Sequence, residues 1–125
     1  MKPEPKTILF VEDEPLLGEL MTEALTDKGF AVEAVPDAGG ALRYLLSGAE
    51  VDVLFTDIDL GAGMDGAQLA RLAREMRPTL QIVYASGRRS MADFPTVPNS
   101  VFLSKPYSLS QVGETLERIG GSPDA

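Results

Sequence analysis

The chain contains no cysteine and no histidine, and these two absences remove several kinds of chemistry. Without cysteine there can be no disulfide, no thiol nucleophile and no thiolate ligand for a metal. Without histidine there is no imidazole to act as a general base, a metal ligand or a phosphoacceptor. Any chemistry at this protein must therefore use carboxylates, hydroxyls and amines.

Long apolar runs and an excess of basic residues are also missing. No stretch approaches the roughly 20 apolar residues that span a bilayer, and the first six residues lack the apolar core of a signal peptide. The 19 acidic residues outnumber the 11 basic ones, and the formal net charge of -8 opposes binding to the phosphates of a nucleic acid. We therefore expect a cytoplasmic protein whose partners include neither nucleic acid nor a membrane.

The residues that are present have the balance of one folded domain. Hydrophobic residues make up 44% of the 125 residues and charged residues 24%, which is typical of a globular protein. This length is sufficient for one core and short for two. We expect a single domain over residues 1–125, with an ordered core over residues 6–119 and a frayed tail from Gly120.

Short β-type runs alternate along the chain with segments of helical periodicity. The predicted strands are residues 7–11, 31–35, 51–56, 81–85 and 101–103. Hairpins cannot join parallel strands, so strands that alternate with helices imply right-handed crossovers. The predicted fold class is therefore α/β, a three-layer sandwich around a five-stranded parallel sheet.

The segment after the fourth predicted strand departs from this alternation. Between Ser86 and Val101 only residues 90–94 have the composition of a helical turn, and Pro95 and Pro98 interrupt it. We therefore expect the fourth helix to be short or absent.

Polar residues stand beside the predicted strands at the points where those strands end. Glu12 and Asp13 follow the first strand, Asp57 follows the third, Ser86 the fourth and Lys105 the fifth. The carboxyl ends of parallel strands meet at one edge of the sheet, where open α/β sheets bind their ligands. Together these residues supply the acids, the hydroxyl and the ammonium needed to hold a divalent cation and to accept a phosphoryl group on a carboxylate.

The acids also have a plainer interpretation. Glu12, Asp13 and Glu14 could cap the helix that follows them and complement its dipole, while Asp57 and Asp59 could be ordinary turn residues. If the first and third strands are neighbours, however, Asp13 and Asp57 would lie close together, and such a pair usually needs a bound cation or a proton. With oxygen ligands only, Mg²⁺ is the natural cation.

Ser86 and Lys105 differ in how strongly each one supports the expected site. Ser86 alone is consistent with a local hydrogen bond in a strand-to-loop turn. Lys105 could simply neutralise nearby acids, but its place before Pro106 restricts the backbone and is compatible with a cis peptide bond. Its ammonium could then contact Asp57 or a phosphoryl oxygen. Phe102, taken alone, is a core aromatic residue.

Together these motifs resemble the receiver domains of bacterial two-component response regulators, and in particular single-domain regulators like those of chemotaxis. The resemblance extends over nearly the whole chain and is carried by residues 8–15, 57–60, 64–66 and 105–107. It implies a flavodoxin-like fold with the strand order 2-1-3-4-5.

The resemblance also implies a role for each residue of the expected site. Asp57 would accept the phosphoryl group, Ser86 would meet it and Lys105 would pair with it. Mg²⁺ would be held by Glu12, Asp13, Asp57 and the backbone carbonyl of Asp59, and Phe102 would be the switch aromatic residue that responds together with Ser86.

The implied function is that of a signalling switch in a two-component system or phosphorelay. The phosphoryl donor would be a phosphohistidine of a sensor histidine kinase or of a histidine phosphotransfer protein, and the output would be a changed surface for a downstream protein target. Such a protein is not an enzyme, because it promotes only its own phosphorylation and dephosphorylation. A receiver cut from a larger hybrid kinase is equally consistent with the sequence.

The residues after Ser86 support two narrower expectations. We expect phosphorylation to reshape the loop over residues 87–99. Arg88 is either a solvated loop charge or a residue that lies over the phosphoryl group, opposite Asp59, and controls the access of water.

Two other functions share parts of the pattern. Asp57 and Asp59 also resemble the nucleophile and the acid/base of phosphatases that form an aspartyl-phosphate, although those enzymes usually carry the pair on the first strand and have capping elements. The fold alone would also suit a flavin-binding module. Turnover of a phosphomonoester would indicate the first, and a coloured purified protein the second.

Overall fold

The described part of the chain contains five strands and four helices and comprises residues 5–61, 63–87 and 95–121 of a computed structural model. The strands are β1 (Thr7–Val11), β2 (Ala31–Val35), β3 (Val53–Asp57), β4 (Gln81–Ser86) and β5 (Ser100–Ser104). The helices are α1 (Pro15–Asp27), α2 (Ala38–Leu46), α3 (Gly66–Met76) and α4 (Leu109–Gly121).

All five strands are parallel and lie in the order β2-β1-β3-β4-β5, which confirms the predicted fold class and strand order. The register pairs Val11 of β1 with Thr56 of β3, and Asp57 of β3 with Ala85 of β4. The carboxyl ends of the three strands therefore lie side by side. The strand order reverses between β1 and β3, and this reversal opens the crevice in which such sheets bind ligands.

Side-chain alternation along the central strands divides the core into two clusters, one on each face of the sheet. On one face Leu9 and Leu54 pack with apolar residues of α2 and α3, and on the other Phe10 and Phe55 pack with apolar residues of α1 and α4. Strands buried on both faces have almost no polar side chains before their ends. Thr56 is an exception, fully buried within β3.

Three of the helices begin at side chains that satisfy their first backbone amides. Asp37 accepts a hydrogen bond from the amide of Gly40 (2.7 Å) at the start of α2. At α3 and α4 the bonds are reciprocal, in the pairs Asp65–Gln68 and Ser108–Gln111. By contrast, α1 begins at a proline, and the preceding Glu14 makes no capping bond with its side chain.

The third strand differs from its predicted bounds, because it begins at Val53 rather than at residue 51 and includes Asp57. The preceding Asp52 lies in a bend, where its carboxylate accepts from the amide of Thr7 (2.8 Å) and its own amide donates to the Thr7 carbonyl (2.9 Å). These bonds tie residue 52 to the start of β1, ahead of the regular ladder.

The described residues include no helix between β4 and β5, where residues 95–99 are irregular. The helical turn expected at residues 90–94, and Arg88, lie outside the described residues. Within the parts of the chain described here, no helix combines the length and apolar character needed to cross a membrane.

Candidate functional site

Three carboxylates meet at the carboxyl end of the sheet, between β1 and β3. Glu12 and Asp13 follow β1 directly, and Asp57 is the last residue of β3. Each contributes a carboxylate oxygen, and these oxygens all lie within 4.8 Å of one another. The structure thus brings together the acids that the sequence analysis placed at one edge of the sheet.

Two of these carboxylates are buried, which makes their negative charge costly. Glu12 is 6% exposed and Asp57 is 7% exposed, whereas Asp13 faces solvent. Burial raises the pKa of Glu12, as does repulsion from the other two carboxylates; a hydrogen bond from the Glu14 amide opposes this effect. Burial likewise raises the pKa of Asp57, and the charges of Asp59 and Asp13 add to the increase.

Lys105 supplies positive charge to the same edge. Its ammonium nitrogen donates to Oδ2 of Asp57 at 2.8 Å, and its backbone amide donates to the Ser86 carbonyl at 3.0 Å. The Lys105–Pro106 peptide bond is cis. Burial alone would lower the pKa of Lys105, but the hydrogen bond to Asp57 and the attraction of Asp57, Glu12 and Asp13 outweigh it, so the pKa lies above its ordinary value. The side chain therefore remains an ammonium at neutral pH.

The donor set fits a divalent cation with a preference for oxygen. One ammonium cannot balance three carboxylates, and the excess negative charge lies where burial already disfavours it. Mg²⁺ prefers carboxylate and water ligands, and the exposed side of Asp13 leaves room for water. Glu12, Asp13 and Asp57 are the described residues that could hold the ion.

Asp59 lies near this group, but its side chain is not one of the three clustered carboxylates. It is exposed, and its charge contributes to the raised pKa of Asp57. A metal contact through its backbone carbonyl remains a prediction.

The backbone around Asp57 is held from several sides. The amide of Ile58 donates to the Ala85 carbonyl (2.9 Å), and the Ile58 carbonyl accepts from the amide of Gly66 (2.8 Å). A Cβ atom on Gly66 would overlap the carbonyl oxygen of Asp57, so α3 can begin this close to β3 only with glycine at that position. The motif that contains Gly66 was apparent in the sequence, whereas this close approach was not.

Thr56 is a residue of the site that the sequence analysis missed. Its hydroxyl is buried and donates to the carbonyl of Asp57 at 2.9 Å. A threonine in a buried strand was a visible signal, but strand periodicity does not show where its hydroxyl points. The bond supports the backbone that carries the Asp57 carboxylate.

Ser86 and Phe102 lie on the outer half of the sheet. Ser86 ends β4, is 2% exposed and pairs with Ser104 of β5. Phe102 lies within β5, is partly buried and packs against the core cluster on the face covered by α2 and α3. Ser86 is thus at the same strand end as the acidic cluster, and Phe102 is two residues before the corresponding end of β5.

Tyr107 also borders the site and was missed in the sequence analysis. Its ring lies 5.9 Å from that of Phe55, which in turn lies 4.9 Å from Phe10. Burial, followed by the charges of Glu12 and Asp57, raises the pKa of Tyr107 to about 12. The Tyr107 hydroxyl is therefore protonated at physiological pH. The packing of its ring against Phe55 fixes the chain just after Lys105.

Known proteins are similar to this chain in both sequence and fold. Residues 8–117 match the family model described as response regulator receiver domain. The response regulator receiver protein CpdR of Brucella abortus is 31% identical over 117 residues, covering 91% of this chain and 96% of CpdR. A solved response regulator receiver protein of Sinorhizobium medicae is 39% identical, with a TM-score of 0.86 and coverage of 94% of this chain and 95% of its own. The solved receiver domain of the hybrid histidine kinase CckA is 27% identical, with a TM-score of 0.79 and coverage of 92% and 99%.

Some curated relatives are much longer than the matched region. The chain spans between 37% and 50% of the length of several of them, all transcriptional or other regulatory proteins by name. The activities of those whole proteins therefore carry no conclusion about this chain.

Proposed function

The chain belongs to the response regulator receiver family, and from this membership we propose that it is a signalling switch that accepts a phosphoryl group on Asp57. Receiver domains are generally switches rather than enzymes, and they partner with histidine kinases. The observation that carries the proposal is the meeting of Asp57 with Glu12, Asp13 and the ammonium of Lys105 at one strand edge. A carboxylate attacks a polyanionic donor only where cations reduce the repulsion.

In the proposed reaction, a carboxylate oxygen of Asp57 forms a bond to the phosphorus of a phosphohistidine. The phosphorus–nitrogen bond breaks, and the imidazole nitrogen keeps the electron pair and takes up a proton. Lys105 remains protonated and can neutralise an oxygen of the transferring group, since its ammonium is already bound to Asp57. Thr56 and Gly66 keep the Asp57 backbone in place during this step.

The proposed cofactor is Mg²⁺, held by Glu12, Asp13 and Asp57 together with the backbone carbonyl of Asp59. When bound, the ion neutralises charge on the carboxylates and on the phosphoryl oxygens. The raised pKa values of Glu12 and Asp57 support this assignment, because they mark negative charge that the protein alone does not compensate.

The proposed response uses Ser86 and Phe102. The new phosphoryl oxygens draw the Ser86 hydroxyl toward Asp57, and Phe102 turns inward into the space that is vacated. The surface around β5 changes as a result and binds a downstream protein target. The product of the switch is thus a shifted conformational population.

The proposed partners are proteins: a sensor histidine kinase or a histidine phosphotransfer protein upstream, and a target protein downstream. Nucleic acid and membranes are not among the proposed partners. The family's typical setting supports a cytoplasmic location. We propose that residues 1–125 form one receiver domain.

Intact-mass analysis after incubation with Mg²⁺ and acetyl phosphate tests the proposal. The protein is expected to gain the mass of one phosphoryl group, and the Asp57→Asn variant is expected to gain none. Asp59→Asn is the matched control and is expected to be phosphorylated. A gain that persists in Asp57→Asn would place the acceptor elsewhere, and sustained turnover of p-nitrophenyl phosphate would favour the phosphatase alternative.

A further inference from the structure

A row of four side chains crosses the sheet just before the site. Val11, Thr56, Tyr84 and Phe102 are paired in register across β1, β3, β4 and β5. Paired residues of parallel strands point to the same face of the sheet, and this face is covered by α2 and α3. The row connects the strands that carry the acidic cluster with Phe102.

Tyr84 is the largest buried side chain of this row, and its hydroxyl makes a hydrogen bond to a residue outside the sheet. The residue is fully buried, and its hydroxyl oxygen accepts a hydrogen bond from the backbone amide of Val97 at 3.1 Å. A buried tyrosine hydroxyl needs a polar partner. Val97 precedes β5 and belongs to the same core cluster. The bond therefore ties the centre of the sheet to the chain that leads into β5.

Residues 97–99 form a corner ahead of β5, here called the β5 corner, and α3 holds it independently of Tyr84. The guanidinium of Arg74 donates to the carbonyls of Pro98 (2.6 Å) and Asn99 (3.2 Å). Asn99 turns the chain with a φ of 59°. Loss of the Tyr84 hydroxyl would therefore leave the β5 corner anchored through Arg74.

Tyr84 is the neighbour of Phe102 within the sheet. Because β5 is an edge strand, the sheet lies on only one side of Phe102, and its neighbour there is Tyr84. The Tyr84 ring is fixed by the core around it and by the bond to Val97. Phe102 is therefore placed to press on the Tyr84 ring when it turns toward the space that Ser86 vacates.

We propose that the Tyr84 hydroxyl acts as a brake on the switch. The inference rests on the proposed function, because it requires that phosphorylation of Asp57 drives Phe102 inward. The bond between Tyr84 and Val97 is present in the protein without a phosphoryl group, and it is broken when Phe102 turns inward. It therefore stabilises the unphosphorylated arrangement and lowers the apparent affinity for a phosphoryl group or its mimic.

The Tyr84→Phe variant tests the brake, because it removes the hydroxyl and keeps the ring. Binding of Mg²⁺ and fluoroberyllate is measured by amide NMR titration of the variant and of the wild type. One net hydrogen bond corresponds to a roughly two- to tenfold change in an equilibrium constant, so Tyr84→Phe is expected to bind the mimic that much more tightly. Tyr44→Phe, a partly buried tyrosine of α2, is the matched control and is expected to match the wild type. Equal or weaker binding by folded Tyr84→Phe would overturn the proposal.

A double-mutant cycle tests whether the brake acts through Phe102. In a Phe102→Ala background the ring that must pass Tyr84 is missing. The effect of Tyr84→Phe on fluoroberyllate affinity is therefore expected to disappear. An effect of the same size in both backgrounds would show that Tyr84 does not restrain Phe102 and would overturn the proposal.

Hydrogen exchange at the Val97 amide reports on the bond itself. In the wild type this amide is expected to be protected without ligand and to exchange faster once Mg²⁺ and fluoroberyllate are bound. Protection that is retained with the mimic bound, in a protein that is phosphorylated normally at Asp57, would overturn the brake alone. A wild type that gains no phosphoryl mass would overturn the proposed function and the brake with it.

Discussion

Asp57 and Glu12 are carboxylates whose surroundings disfavour their own charge. Burial is the main cause for both, and for Asp57 it outweighs the hydrogen bond from Lys105. A carboxyl group with a raised pKa in the folded state binds its proton more tightly there than in the unfolded chain. The stability it contributes is fully present below its ordinary pKa and is lost as the pH rises through the raised value.

The Asp57→Asn variant should therefore be more stable than the wild type at neutral pH in the absence of Mg²⁺. Asparagine mimics the uncharged carboxyl, so the advantage is expected to shrink as the pH falls toward the ordinary aspartate value of 3.8. Urea unfolding with EDTA at several pH values measures it, with Asp59→Asn as the control. A variant less stable than the wild type at neutral pH would contradict the assignment of uncompensated charge to Asp57.

Replacing Lys105 is expected to slow phosphoryl transfer without weakening Mg²⁺ binding. In Lys105→Met the ammonium that neutralises the transferring group is lost, and removal of one such group typically lowers a rate by about 100-fold or more. Mg²⁺ should bind at least as tightly, because a positive charge has left the site. Phosphorylation rates with acetyl phosphate and Mg²⁺ titrations measure the two effects.

Lys28→Met is the control for Lys105→Met, since the Lys28 side chain lies across Gly113 of α4. Loss of Mg²⁺ affinity with an unchanged rate would contradict this role.

At the scale of secondary-structure elements, the start of α3 sets the position of Asp57, the proposed acceptor. Gly66 begins α3, and its amide binds the Ile58 carbonyl while its Cα faces the Asp57 backbone. Helix and strand approach here more closely than any other side chain would allow. The capping bonds between Asp65 and Gln68 fix the same helix end. The Asp57 backbone is thus held by an element that carries none of the three clustered acids.

Gly66→Ala should accordingly destabilise the protein and misplace Asp57. The added Cβ meets backbone rather than a flexible side chain, and such overpacking costs about 1–3 kcal/mol. Gly113→Ala in α4 is the matched control, because its Cβ would meet only the flexible end of Lys28. That variant should be neutral or up to about 1 kcal/mol more stable, since alanine favours helix. Thermal unfolding compares the two, and equal effects would contradict the close approach at Gly66.

Sequence periodicity predicted the elements better than it predicted the contacts between them. The bounds of β1 and β2 are those expected, since apolar runs followed by turn residues are local signals. The start of β3 was wrong by two residues, because Asp52 binds Thr7 through contacts that no local pattern contains. The strand order came from the family resemblance rather than from periodicity.

The candidate site was predictable where residue type and strand end coincide. Asp13, Asp57 and Lys105 are charged residues at or just after strand ends, and this is visible in the sequence. Thr56 was missed because strand periodicity does not show where its hydroxyl points, even though the bond is to the next residue. Tyr84 was missed because its bond to Val97 joins β4 to the segment before β5 and forms only in the folded protein.

At the scale of the whole molecule, the three acids and the residues of the proposed response lie on different strands of the sheet. β1 and β3 are buried by apolar clusters on both faces and carry the three acids. β4 and the edge strand β5 carry Ser86, Phe102 and Lys105. The well-packed centre of the sheet is suited to holding the three acids in position. The edge, which has fewer neighbours, is suited to the proposed rearrangement of Phe102.

The overall charge adds to the repulsion that the proposed reaction must overcome. With a net charge of -8, the protein repels an anionic phosphodonor, and the clustered carboxylates add to this at the point of reaction. Lys105 and a bound divalent ion would together offset the three negative charges clustered there. The proposed switch requires that Asp57 is the group that the donor reaches.

Reductive trapping of the phosphorylated protein locates that group directly. Borohydride reduces an aspartyl-phosphate to homoserine but leaves phosphates on hydroxyls and amines unreduced. After incubation with Mg²⁺ and acetyl phosphate, reduction and peptide mapping, homoserine is expected at position 57 and at no other aspartate. Homoserine at another position, or a stable phosphoryl group that borohydride does not reduce, would contradict the account.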